Sequence, residues 1–144
     1  MHRLCTIGYE RTTLPQLVAT LRAAGVATLI DVRALALSRR AGFSKSLLAA
    51  GLAEAGIAYV HIRELGTPKE GRLAVRAGRI GAMEEIFAAH MQTPEAVAGL
   101  ARAIAIAREA PSCLLCLEAD PAHCHRAIVA RLMQPALGSE LVHL

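Results

Sequence analysis

Residues 116–126 hold Cys116, Glu118, Asp120, His123, Cys124, His125 and Arg126, which amount to two thiols, two carboxylates, two imidazoles and a guanidinium. A hydrophobic core has no use for that inventory. The apolar run before it reads as a buried strand and the run after it as a helix. In α/β proteins, the turn from a strand end into a helix N-terminus is where ligands bind and chemistry occurs.

Each residue carries a chemical reading and a plainer one. Cys124 falls in the first turn of the following helix if Asp120 caps it with Pro121 at the first position. Unpaired N–H groups, the helix dipole, His125 and Arg126 would then lower its pKa and make it nucleophilic. The plain alternative is an apolar stripe of Cys124, Ile128 and Leu132 that buries an inert thiol. Arg126 beside a helix N-terminus suits an anion, or else a structural ion pair with Glu118, Asp31 or Asp120. Glu118 leaves a buried run, so desolvation should raise its pKa unless a cation pairs with it. It reads as a general base or as an orienting partner for arginine. His125 reads as acid or base and His123 as a surface histidine.

The elements that must position these groups follow from periodicity. Strands are expected at residues 4–9, 26–32, 57–62, 112–118 and 140–144. Helices are expected at 13–24, 44–55, 82–91, 95–110 and 127–133, with Ser44 and Thr93 as N-caps. Residues 33–43 and 63–81 read as basic loops. Strands that alternate with helices and are apolar on both sides predict one α/β domain over residues 1–144. It should have three layers, with a mainly parallel sheet of about five strands and helices on both faces. Parallel strands place Tyr9, Glu10, Asp31, Arg33, His61, Arg63, Glu118 and Asp120 on one rim, which suggests a cleft.

Composition sets bounds. The chain has 144 residues, a net charge of +4 and a hydrophobic fraction of 54%, yet only 3% is aromatic, so small aliphatic side chains must fill the core. No apolar stretch nears the roughly 20 residues that span a bilayer, and the N-terminus shows no signal-peptide pattern. A cytoplasmic protein without membrane attachment is expected, with its four cysteines as free thiols. Cys113 and Cys116 lie three apart in a strand and should face opposite ways. A metal site from His61, Cys116, Cys124 and His125 is disfavoured because Cys124 and His125 are neighbours and no zinc-type spacing is present. No metal or cofactor is expected. The first strand-to-helix turn lacks the glycine fingerprints of dinucleotide and nucleoside-triphosphate sites.

Several short motifs occur in order: Thr6-Ile7-Gly8-Tyr9-Glu10, Asp31-Val32-Arg33 with Ser38-Arg39, Gly42-Phe43-Ser44-Lys45, Gly56-Ile57-Ala58-Tyr59, Glu64-Leu65-Gly66, and Cys116-x-Glu118 with Cys124-His125-Arg126. Together they resemble the bacterial and archaeal family known as domain of unknown function 488. The resemblance supports an α/β sandwich and marks Tyr9, Asp31, Arg33, Ser38, Arg39, Glu118, Cys124, His125 and Arg126 as characteristic positions. The chain departs from it at Ala36 and Ala41, where prolines are expected, which implies a more mobile loop.

The functional expectation is an enzyme-like cleft that binds a phosphate-bearing nucleotide or nucleic acid and hydrolyses or transfers it. Tyr9, Asp31, Arg33, Ser38, Arg39 and Arg126 would bind this anionic partner, and Glu118, Cys124 and His125 would carry the reaction. The alternatives are a non-catalytic nucleotide- or nucleic-acid-binding module and a thiol-based redox protein. The last requires Cys124 to meet Cys116 or Cys5. Homodimer formation is left open.

Overall fold

The computed structural model describes residues 3–144. Its elements run β1 (Leu4–Gly8), α1 (Leu14–Ala23), β2 (Thr28–Asp31), α2 (Lys45–Glu54), β3 (Ala58–His61), α3 (Lys69–Arg76), α4 (Ile80–His90), α5 (Pro94–Glu109), β4 (Ser112–Cys116), α6 (His125–Leu137) and β5 (Leu141–His143). Short 3-10 turns occupy Arg63–Leu65 and Pro121–His123.

The five strands form one sheet in the order β3-β2-β4-β1-β5, and every pairing is parallel. β4 therefore sits between the first two strands of the chain, and its carboxyl end opens at the centre of the rim. Strand alternation splits the core in two. Leu4, Ile30, Leu114, Phe87, Ala103 and Val129 pack on the side of α3 to α6. Cys5, Ile7, Leu29, Cys113, Leu17 and Leu48 pack on the side of α1 and α2. The result is the three-layer domain read from the sequence. α5 buries Ala96, Gly99, Ala103 and Ala107, so small side chains do bring that helix close to its neighbours.

Local chemistry sets several boundaries. Thr13 and Gln16 form a reciprocal capping box at the start of α1. Thr93 caps α5 by accepting from the Ala96 N–H, with Pro94 at the first position. Ser44 stands at the N-cap of α2 without capping it: its hydroxyl accepts from the Ser38 N–H and donates to the Ser38 carbonyl. Those bonds, together with Lys45 N–H donating to Ala36 O at 2.8 Å and a fully buried Phe43, tie down the loop that carries Ala36 and Ala41.

Two expectations need correction. The basic stretch 63–81 contains α3, which the sequence hid because Gly71 lies inside it and its first turn is polar. Packing overrides propensity there: a Cβ on Gly71 would sit 2.4 Å from Thr67 Cγ2 and 3.4 Å from Ile86 Cγ2. Asp120 caps only the 3-10 turn, accepting from the Ala122 N–H, and the helix proper begins at His125. Cys124 is therefore the extended N-cap residue of α6, with φ −131° and ψ 140°, and does not lie in the first turn.

Candidate functional site

β4 ends at Cys116, whose neighbours Leu114 and Leu115 are buried on opposite sides of the sheet. The chain then crosses Gly8 so closely that a Cβ there would lie 1.8 Å from the Glu118 carbonyl oxygen. It returns through the 3-10 turn to Cys124 and enters α6. This out-and-back path brings the Sγ atoms of Cys116 and Cys124 and a ring nitrogen of His125 within 4.8 Å of one another, all three buried.

His125 is oriented from both ends. Its Nε2 lies 2.7 Å from the Val32 carbonyl, which can only accept, so Nε2 carries a proton. Nδ1 then faces Cys116 Sγ at 3.5 Å and Cys124 Sγ at 3.8 Å. Phe87 of α4 meets the ring edge-on, with centroids 5.2 Å apart. The alternative apolar stripe of Cys124, Ile128 and Leu132 does not form, because Leu132 is exposed.

The two sulfurs differ. Burial pushes the Cys124 thiol up, but hydrogen bonds to Cys116 and His125, the charge of His125 and the Arg126 N–H outweigh it, so its pKa falls well below the usual thiol range. Cys116 moves the other way, first because its proton serves the Cys124 sulfur and then through burial. His125 is raised: burial opposes its protonation, and the hydrogen bond to Cys124 prevails. Glu118 is pushed up to about 7 by burial and then by the Cys124 charge.

Arg126 is fully buried, and its guanidinium donates to the carbonyls of Glu118 and Ala119, leaving Nε without a partner. The alternative of an ion pair with Glu118, Asp31 or Asp120 is not realised; Arg126 clasps the loop between Cys116 and Cys124.

A second cluster occupies the α1–α2 side. Asp31 and Arg33 form a buried ion pair at 2.7 Å. Arg33 also donates to Tyr9 Oη and to the Phe43 carbonyl, and Tyr59 donates to Asp31 at 2.6 Å. Tyr9 stacks on Phe43 with centroids 4.6 Å apart. His61 bonds the Arg33 carbonyl through Nε2, away from the sulfurs. Ser38 is half-buried and Arg39 exposed on the loop.

The predicted residues thus fall into separate groups. Glu118, Cys124 and His125 come together; Tyr9, Asp31 and Arg33 come together on the opposite layer; Ser38 and Arg39 join neither. The site also includes Cys116 and the Val32 carbonyl. Cys116 was legible as the thiol ending the strand, whereas a backbone carbonyl leaves no signal in a sequence. The objection that Cys124 and His125 are neighbours does not hold, because the switch from extended to helical backbone between them turns both donor atoms to one point. A cavity of about 280 Å³, lined by Glu10, Glu118, Asp120 and His123 among others, lies beside the loop.

Fold and site define a three-layer α/β protein with a thiol–imidazole cluster at the carboxyl end of its parallel sheet. Residues 13–133 match the model of domain of unknown function DUF488, and the chain belongs to that family. No curated protein and no solved structure matches it. No helix among the described residues is long and apolar enough to cross a membrane.

Proposed function

We propose that this protein performs thiol–disulfide chemistry, with Cys124 as the attacking thiolate and Cys116 as the resolving thiol. The observation that carries the reading is the convergence of both sulfurs and His125 Nδ1 within 4.8 Å. In the first step Cys124 Sγ attacks one sulfur of a small disulfide, forming a mixed disulfide and releasing the other half as a thiolate that takes up a proton. Cys116 Sγ then loses its proton and attacks Cys124 Sγ, closing the intramolecular disulfide and releasing the second half as a thiol. The disulfide substrate is reduced to two thiols as the protein dithiol is oxidised. Glu118, which lines the cavity and feels the Cys124 charge, serves as the proton carrier.

The cavity beside the loop is lined by three carboxylates, Glu10, Glu118 and Asp120, which favours a neutral or cationic disulfide over an anionic one. Of the arginines assigned to a phosphate-bearing ligand, Arg33 and Arg126 direct their guanidinium groups to Asp31, Tyr9 and backbone carbonyls, whereas Arg39 is exposed on the loop. Cys5 cannot serve as the resolving thiol, because it packs in the opposite layer beside Cys113.

The test is to treat the folded, reduced protein with cystamine and map its disulfides by peptide mass spectrometry. The expected product links Cys116 to Cys124 and leaves Cys5 and Cys113 free, and Cys116→Ser should trap the mixed disulfide on Cys124. A protein that keeps all four thiols, or that links them at random, defeats the reading.

A further inference from the structure

The same three donor atoms match the coordination sphere of a thiolate-binding metal. A tetrahedral zinc ion with bonds of about 2.3 Å to sulfur and 2.0 Å to nitrogen holds sulfur and nitrogen donors about 3.5 Å apart. Here Nδ1 of His125 stands 3.5 Å from Cys116 Sγ and 3.8 Å from Cys124 Sγ. With Nε2 donating to the Val32 carbonyl at 2.7 Å, Nδ1 faces both sulfurs and is the nitrogen left to ligate a metal once its proton is lost. A backbone carbonyl holding the far nitrogen is the outer-shell support that ligating histidines use.

Geometry elsewhere supports a prepared site. Cys116 is fixed by strand pairing with Gly8, and Cys124 and His125 are fixed by the start of α6. Arg126 holds the intervening loop by two of its carbonyls. Two sulfurs and an imidazole select zinc over the hard cations magnesium and calcium, which take oxygen ligands. Among the described residues, this is the group of three or more histidine, cysteine and carboxylate side chains with such convergence. Three protein ligands leave a fourth position open, the pattern of zinc sites that bind water or an exogenous ligand.

We infer that Cys116, Cys124 and His125 form a three-ligand zinc site. The inference deepens the thiol reading and rests on the same reduced dithiol: zinc takes both sulfurs as thiolates and Nδ1 as a neutral donor, the protons held by Cys116 and by His125 Nδ1 leave to solvent, and the ion shields the pair from disulfide formation until it is released.

Reduced, chelator-stripped protein titrated anaerobically with cobalt(II) tests this directly. The expected result is a single cobalt per chain, with sulfur-to-metal charge-transfer bands and the intense visible bands of tetrahedral geometry, displaced by zinc. Cys116→Ser and Cys124→Ser should abolish those bands, and His125→Ala should weaken binding at least tenfold. Cys5→Ser, which alters a thiol in the other layer, should leave the bands unchanged and controls for the thiols outside the site. Absence of the bands from wild-type protein that retains its native circular dichroism overturns the inference, as does their persistence in both Cys116→Ser and Cys124→Ser. The two readings fail separately. Cobalt binding without a cystamine-induced disulfide leaves a metal site and sinks the exchange chemistry, whereas the disulfide without cobalt binding sinks the metal site alone.

Discussion

Asp31 and Arg33 are two residues apart, share a side of the sheet and close on each other, with relative exposures of 0% and 5%. Tyr59 and Tyr9 complete the set by donating to Asp31 and accepting from Arg33. Burial pulls the Arg33 pKa down, but the hydrogen bond and charge of Asp31 overcome it and push the guanidinium pKa above its ordinary value. Tyr59 is likewise pushed up, by burial first and then by the Asp31 carboxylate that needs its proton. A buried pair of this kind does not by itself argue for stability, but losing one partner strands the other charge. Asp31→Asn should therefore destabilise the fold by about 3–5 kcal/mol, read as a lower urea midpoint with the slope unchanged. A loss below about 1 kcal/mol would mean that Arg33 finds water or another acceptor and that the cluster is not a structural lock.

At the scale of elements, residues 117–123 act as a strap rather than a free loop. Gly8 lets it lie against β1, Glu10 accepts from the Ala119 N–H, and Arg126 pulls on the Glu118 and Ala119 carbonyls from inside. The strap joins the two buried cysteines and fixes where Cys124 enters α6. Gly8→Ala would push a methyl group into the Glu118 carbonyl and should cost about 1–3 kcal/mol, as overpacking generally does. Limited proteolysis should then cut within 117–123 faster than in the wild type. Unchanged stability and cleavage would show that the strap moves aside freely. Glycine at this point is legible only in hindsight, since the close approach comes from a segment 110 positions further along the chain.

For the whole molecule, the pH dependence of stability carries the signature of Glu118. Its carboxyl rises from an ordinary 4.5 to about 7, chiefly because it is buried. Folding therefore favours its protonated form, and the folded state binds more protons than the unfolded state between those values. The associated stabilisation is fully present below about 4.5 and is lost as pH rises through about 7. Reduced, metal-free protein should lose stability across that window, and Glu118→Gln should flatten the decline. Denaturation midpoints measured across the range check it, and parallel curves for the two proteins would remove Glu118 as the cause.

The sequence alone determined the α/β class, the strands and all helices but α3, because each depends on local periodicity, caps and breakers. It also marked residues 116–126 as the candidate site, since ionisable groups rarely crowd a strand end without cause. Only the tertiary structure decided which of those groups meet. Insertion of β4 between β2 and β1 brings the Val32 carbonyl to His125, so that Nδ1 faces the sulfurs. The same packing turns Arg126 inward onto the backbone and places Asp31 and Arg33 in the opposite layer. Strand order and layer assignment are set by contacts between distant segments, and no local spacing encodes them.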